Sequence, residues 1–209
     1  MYFEQAGKDN TEQTLQIAKD EALKRGIKHI VVASTVGDTG LQAAKMLQGT
    51  GIKLIVVTHS TGHRQPGEQL FNPEIKKEIE SLGGVVFTGT DTFTGYEIAM
   101  GIRGWFSPQA LILTVLRTFG QGMKVCVEIV AIAGDAGLIP IGDVIAVAGT
   151  GRGADTAVVV AANSTNRLFD IKIREILAKP KNFYVRDARF EAKTTFGGLC
   201  ISILCKGTG

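Results

Sequence analysis

Short apolar runs alternate along this chain with longer segments in which apolar residues recur every three or four positions. Uninterrupted runs are typical of strands buried on both faces of a parallel sheet, and the longer periodicity is typical of amphipathic helices. The pattern predicts strands at 29–34, 53–59 and 85–90, two strands joined by a Gly-rich turn within 142–163, and a last strand at 199–205. It predicts helices at 10–26, 39–48, 72–84, 107–120, 123–137 and 167–179.

Cap residues support two of these helices. Asn10 is followed three positions later by Gln13, and Asn72 directly precedes Pro73, with Gly83 at the far end of that helix. The segment 123–137 is rich in β-branched residues that favour strands. We nevertheless predict a helix there.

Alternating strands and helices indicate an α/β fold with three α/β/α layers, in which helices cover both faces of a mostly parallel sheet. A chain of 209 residues is long for one small domain and short for two. We therefore predict a single domain over 1–209 with a C-terminal extension from about residue 166.

Composition excludes some classes of partner. The chain is 44% hydrophobic and 21% charged, which is typical of a globular protein, and its net charge of +3 is too small and too mixed for a nucleic-acid footprint. The basic and aromatic segment 178–190 is better explained as a solvated helix end followed by a loop and a strand. We expect no nucleic-acid partner.

Cysteine usage and hydropathy indicate a cytoplasmic protein. Cys126, Cys200 and Cys205 are an odd set without a CxxC pair, so we interpret them as small buried apolar residues and expect neither disulfides nor a zinc site among them. The sequence has no signal-peptide pattern and no long uncharged apolar run. We expect no membrane partner.

Four loops rich in glycine and hydroxyl residues follow the predicted strands, at 34–40, 58–69, 88–95 and 149–156. In parallel sheets, ligands bind at the carboxyl ends of the strands, where such loops meet. A shared ligand site at this edge is therefore expected.

The first loop, "STVGDTG", leads into a helix. Free N–H groups at a helix start attract phosphate or carboxylate, glycines at 37 and 40 allow close approach of the backbone, and Ser34, Thr35 and Thr39 add hydroxyl donors. The alternative is a simple capping box made by Thr39 and Gln42. Asp38 places a negative charge in this loop, which Arg64 or Arg152 could neutralise.

The loop at 149–156 imitates a dinucleotide fingerprint, with Gly149, Gly151 and Ala154 in the glycine positions. The chain continues as a strand where that fingerprint requires a helix, so we predict a hairpin. Its tip either closes over a flat or phosphorylated ligand or is a plain tight turn.

His59 and His63 have the spacing of metal ligands on a helix, but Gly62 and Pro66 make a helix improbable there. We expect no metal site and a place for His59 in the wall of the ligand site. Glu97 and Asp155 are carboxylates near the same edge, yet their spacing defines no acid/base pair. The catalytic residues stay unknown.

Eighteen residues are the candidates for ligand binding. They are Ser34, Thr35, Val36, Gly37, Asp38, Thr39, Gly40, Thr58, His59, Ser60, Thr90, Gly149, Thr150, Gly151, Arg152, Gly153, Asp155 and Thr156.

With the loop at 34–40 and "GDAGLIPIGDVIAVAGTG" at 134–151, the sequence resembles the C-terminal α/β domain of pyruvate kinase over about residues 10–165. The resemblance implies a phosphate-binding loop that matches Ser34, Thr35, Gly37 and Thr39, whereas Asp38 departs from the match and disfavours a sugar bisphosphate. No catalytic barrel precedes the domain, so phosphotransfer is not implied.

This chain looks closest to the microbial stand-alone members of that superfamily, for which the resemblance implies bound flavin mononucleotide (FMN). The expected function is binding of FMN or another phosphorylated small molecule. The alternatives are a flavin-dependent redox enzyme, a sugar-phosphate sensor, and a structural or oligomerisation domain. Whether the chain is an enzyme, and whether it forms a homo-oligomer, stay open.

Overall fold

A computed structural model describes residues 1–183. Within this range the strands are β1 (Tyr2–Gln5), β2 (His29–Ala33), β3 (Lys53–Val57), β4 (Val85–Phe87), β5 (Gly142–Ala148), β6 (Thr156–Ala162) and β7 (Lys172–Asn182). The α-helices are α1 (Thr11–Arg25), α2 (Asp38–Leu47), α3 (Pro73–Ser81), α4 (Thr94–Ile102), α5 (Pro108–Arg117) and α6 (Gln121–Asp135). Short 3₁₀ helices lie at Lys8–Asn10 and Thr165–Asp170.

The described strands form one sheet in the order β1-β7-β6-β5-β2-β3-β4. Strands β5, β2, β3 and β4 are parallel, β6 is antiparallel to both β5 and β7, and β1 is parallel to β7. The chain runs outward from β2 through β3 to β4 and then returns to the other side of β2 as β5. Strands β2 and β5 therefore border the point where the strand order reverses.

Helices cover both faces of the sheet. Ile30 and Val32 of β2 pack toward α1 and α2, while Val31, between them, packs toward α6. Helix α6 is buried along most of its length, so its β-branched residues fill the core and do not extend the sheet. The prediction of a three-layer α/β/α fold is confirmed, as is the helix predicted at 123–137.

The cap at Asn72 is confirmed, whereas the cap at Asn10 is not. Asn72 Oδ1 accepts hydrogen bonds from the N–H groups of Glu74 and Ile75 at 2.8 and 3.3 Å. Asn10 stands at the start of α1, but its amide donates to the carbonyl of Gln5 at 2.8 Å and caps nothing. The first helix therefore starts without a side-chain cap.

The helix predicted at 167–179 is wrong. A short 3₁₀ helix ends at Asp170, and β7 follows, paired with β6 on one side and β1 on the other. The pairing of β7 with β6 shifts register twice, between Ala157 and Val158 and between Val159 and Val160. These shifts interrupt the alternation that identifies a strand, while good helix formers fill the segment.

One described strand, β1, and one described α-helix, α4, were not predicted. Strand β1 is short and lies at the edge of the sheet, and α4 begins within the loop predicted at 88–95. The strand predicted at 199–205 lies outside the described residues. Among the described helices, none is long and apolar enough to cross a membrane.

Candidate functional site

A cavity of about 360 Å³, here called the cleft, opens at the carboxyl ends of β2, β3 and β5. Ser34, Thr58, Asp91 and Gly149 represent the four predicted loops in its wall, and Lys124 of α6 lies on the opposite side. In open α/β sheets such crevices form where the strand order reverses. The fold thus brings all four loops to one site.

Eleven of the candidate residues line the cleft: Ser34, Thr35, Val36, Asp38, Thr39, Thr58, His59, Gly149, Gly151, Arg152 and Gly153. The others do not: Gly37, Gly40, Ser60, Thr90, Thr150, Asp155 and Thr156. Ser60 and Thr90 line a neighbouring shallow depression that shares Asp91 with the cleft.

The first loop ends in an α-helix start with open donors. The N–H of Gly40 donates to Ser34 Oγ at 3.2 Å, and the N–H of Leu41 donates to the carbonyl of Gly37 at 2.8 Å. Within the described residues, the N–H groups of Asp38 and Thr39 have no hydrogen-bond partner. Because the N-cap residue is Gly37 and Thr39 lies inside the helix, the alternative of a capping box at Thr39 is not formed.

Gly37 and Gly40 serve packing and do not line the cleft, and close approach of a ligand to their backbone stays a prediction. A Cβ at Gly40 would lie 2.8 Å from Cγ1 of Val56, and a Cβ at Gly37, whose φ is +118°, would lie 2.6 Å from Cγ2 of Ile75. Helix α2 approaches β3 closely because no side chain separates them. This packing fixes the helix start at the cleft.

The predicted hairpin at 149–156 is confirmed, since β5 and β6 are antiparallel. Asp155 is fully buried and accepts hydrogen bonds from the N–H groups of Gly7 and Thr150, both at 3.1 Å, and from the hydroxyl of Thr156 at 2.8 Å. Asp155 and Thr156 therefore hold the hairpin in shape and do not line the cleft. Arg152 at the tip lines the cleft.

The first loop carries a negative charge, Asp38, which forms no ion pair with a cation among residues 1–183. Asp38, Arg64 and Arg152 all line the cleft, but no ion pair joins Asp38 to either arginine. All three side chains are exposed. The two arginines are thus available to an anion entering the cleft.

A buried ion pair that the sequence did not reveal lies in the opposite wall. Lys124 Nζ contacts Glu128 Oε2 at 2.5 Å and also donates to the hydroxyl of Thr94. Glu128 Oε1 accepts from the N–H groups of Phe93 and Thr94 at 3.1 and 2.8 Å, at the start of α4. Burial raises the pKa of Glu128, but the charge and hydrogen bond of Lys124 outweigh burial, so the pKa is lower than usual.

A second ion pair joins α4 to α5. Arg117 donates two hydrogen bonds to Glu97, at 2.7 and 2.8 Å, and both side chains are buried. The bond to Glu97 raises the pKa of Arg117. Glu97 is therefore a structural carboxylate. Of these two ion pairs, only Lys124–Glu128 is indicated by the sequence, through its four-residue spacing on one helix. Partners on separate helices, such as Arg117 and Glu97, have no characteristic spacing.

His59, His63 and Asp91 cluster at one end of the cleft. The two imidazole rings stack with centroids 3.8 Å apart, and no helix carries them, as predicted. Burial and the neighbouring His59 lower the pKa of His63. Burial raises the pKa of Asp91, but His59 and hydrogen bonds from Ser60 outweigh burial and lower it. Asp91 was missed because it lies far from both histidines in sequence.

No protein-family model matches this chain. Among solved structures, O-ureido-L-serine synthase is similar to 46% of this chain at 19% sequence identity and a TM-score of 0.30. The aligned part is 30% of that enzyme's chain, so the likeness is too limited to inform function. The resemblance to the pyruvate kinase domain stays a prediction.

Proposed function

We propose that this protein binds a phosphorylated small molecule in the cleft, with FMN as the ligand. The observation that carries the proposal is the open start of α2, where the N–H groups of Asp38 and Thr39 have no partner among the described residues. Helix starts attract phosphate through such N–H groups and through the helix dipole.

The surroundings of this helix start suit a phosphate. Thr35 offers a hydroxyl in the same loop, and Arg64 and Arg152 bring two positive charges to the cleft. Arginine forms paired hydrogen bonds with phosphate oxygens. Asp38 opposes a second phosphate, which favours a monophosphate such as FMN over a sugar bisphosphate.

The other side of the cleft suits a flat ring. Ile129 and Ile132 of α6 line it, Leu70 also borders the cleft, and the cavity volume of about 360 Å³ falls within the usual range of small-molecule sites. FMN, when bound, supplies redox chemistry of its own. The residues of this chain bind and orient the phosphate at α2 and shield the ring with apolar side chains.

Retention of flavin tests this proposal. The purified chain is mixed with FMN or with riboflavin, which lacks the phosphate, and is desalted before its visible spectrum is recorded. We expect FMN to stay bound and riboflavin to bind more weakly. Arg152→Gln is compared with Arg174→Gln, which removes an equal charge from the exposed side of β7.

Weaker FMN binding in Arg152→Gln, with unchanged riboflavin binding, would support a phosphate site in the cleft. An equal loss of binding for FMN and riboflavin in Arg152→Gln would contradict a contact between Arg152 and the phosphate. If neither flavin is retained, FMN is the wrong ligand. Turnover of a reductant by the FMN-loaded protein would favour the alternative of a flavin-dependent redox enzyme.

A further inference from the structure

His59, His63 and Asp91 bring three metal-ligating side chains to one point of the cleft wall. Asp91 Oδ2 lies 3.9 Å from Nδ1 of His59 and 3.7 Å from Nδ1 of His63. One potential ligand atom from each side chain lies within 4.8 Å of the other two. The residues follow β3 and β4, which are adjacent and parallel, so the sheet itself brings them together.

Hydrogen bonds among the described residues do not explain why Asp91 lies beside the two stacked histidines. Both Nδ1–Oδ2 distances exceed the length of a hydrogen bond, and Nδ1 of His63 is buried without a partner among the described residues. Ser60 holds Asp91 in place, because its hydroxyl donates to Oδ2 at 3.0 Å and its N–H donates to Oδ1 at 3.4 Å. Carboxylates that ligate metals are oriented by hydrogen bonds of this kind.

The geometry points to a site for a divalent transition-metal ion, for which we name Zn²⁺, bound by His59, His63 and Asp91. Two imidazoles and one carboxylate suit zinc, whereas Mg²⁺ and Ca²⁺ prefer oxygen ligands throughout. Ligand atoms in a tetrahedral zinc site lie about 3.3 to 3.5 Å apart, since each is about 2.0 to 2.2 Å from the ion.

To bind zinc, each histidine Nδ1 must therefore approach Asp91 Oδ2 by about 0.2–0.6 Å, and the stacked imidazole rings must turn apart, because a zinc ion lies in the plane of each imidazole that ligates it. The His59 and His63 side chains are 37% and 24% exposed, so both have room to turn. The loop that carries them, between β3 and α3, has no regular secondary structure to resist the shift. Asp91 is the fixed member of the cluster.

Three protein ligands leave a fourth tetrahedral position open, as in catalytic zinc sites. All three side chains line the cleft that also contains the start of α2. The open position thus faces the cleft, where water or an anionic oxygen of a small molecule completes the coordination. This inference does not depend on FMN as the ligand.

Metal content of the full chain tests the site. The protein is stripped with a chelator, dialysed against ZnCl₂ or MgCl₂, and analysed for bound metal by mass spectrometry. We expect one zinc per chain and no magnesium. His59→Ala, His63→Ala and Asp91→Asn should each weaken zinc binding by at least about 10–100-fold. Mutation of residues that only hydrogen-bond to metal ligands already causes a loss of that size.

His29→Ala is the matched control, because His29 is the remaining histidine of the chain and lies at the start of β2, away from the cleft. It should bind zinc like the natural sequence. Co²⁺ provides a second readout, since its visible absorption reports a nitrogen- and oxygen-liganded site in the natural chain and should disappear in His59→Ala. His59 is partly exposed, so this variant is expected to fold.

Two results would overturn the site. One is a chain that retains no zinc after dialysis. The other is equal zinc binding in the natural chain and in all three ligand variants, which would assign the metal to other residues. Neither result bears on flavin retention, so failure of the zinc site and failure of the FMN proposal are distinguishable.

Discussion

At the scale of single residues, the wall of the cleft depends on charges that are buried in pairs. Lys124 and Glu128 are 4% and 7% exposed, and each neutralises the other. Removing one member of a buried pair leaves an uncompensated charge, which costs far more than the pair contributes. The two residues therefore act as one unit that connects α6 to the start of α4.

Lys124→Met is expected to lower the free energy of unfolding by about 3–5 kcal/mol. The control is Lys76→Met, because Lys76 and Glu80 have the same spacing but lie 3.9 Å apart and about half exposed. That control should change stability by less than about 1 kcal/mol. Urea unfolding of both variants measures the difference, and equal effects would contradict the buried pair.

Lys124→Met/Glu128→Gln should recover part of that loss. The double variant carries no charge at these two positions, and its amide oxygen still accepts from the N–H groups of Phe93 and Thr94. A double variant less stable than Lys124→Met would show that the carboxylate itself, and not its charge balance, is what the site requires.

Acid should remove the contribution of Glu128. Its pKa in the folded state is below the ordinary value of 4.5, so the stabilisation is present above that pH and is lost as pH falls through the folded-state value. Glu128→Gln should therefore lose less stability between pH 6 and pH 3 than the natural chain. Glu80→Gln, in an exposed pair, should keep the natural slope. If the free energy of unfolding falls equally with pH in all three proteins, Glu128 does not contribute the stabilisation expected here.

At the scale of elements, the close packing of α2 on β3 positions the helix start. Gly40→Ala should lower the free energy of unfolding by about 1–3 kcal/mol, since the new Cβ would lie 2.8 Å from Val56. Gly101→Ala in α4 meets no atom within 4 Å, so it should be neutral or stabilising by up to about 1 kcal/mol. Thermal unfolding distinguishes them, and an unaffected Gly40→Ala would mean that the two elements separate easily.

The sequence predicted the elements whose signals are local. Asn72 and Pro73 define the start of α3, and the glycines at 149–153 predict the hairpin between β5 and β6. Strand β7 was mistaken for a helix because its identity comes from pairing with β6 and β1, distant in sequence. Propensity alone favours helix there.

The loops of the candidate site were predicted from the sequence, but the position of helix α6 opposite them was not. Loops that follow parallel strands must meet at one edge, so Ser34, Thr58 and Gly149 were located in advance. The wall formed by α6 and the place of Asp91 beside the histidines were not, because Lys124 and Asp91 acquire their surroundings only through helix and loop packing. Gly37 and Gly40 also have a packing role that the sequence did not indicate, since a Cβ at either position would lie too close to a neighbouring side chain.

At the scale of the whole molecule, ligand binding should raise thermal stability. A ligand present at 100 times its Kd stabilises the folded state by about 2.7 kcal/mol. For a domain of this size the Tm should then rise by about 5–11 °C with FMN. Arg152→Gln at the same FMN concentration should show a smaller rise. No rise in the natural chain would contradict binding to the folded state.

The reversal of strand order between β2 and β5 also affects when the cleft can exist. One wall of the cleft is the loop after β2, early in the chain. Another is the hairpin turn after β5. Three strands (β3 to β5) and five α-helices (α2 to α6) are synthesised between these two loops. A ribosome-bound chain that ends before this hairpin lacks the residues at 149–153 that line the cleft. Ligand binding by a chain still being synthesised would therefore report that the turn after β5 has been added.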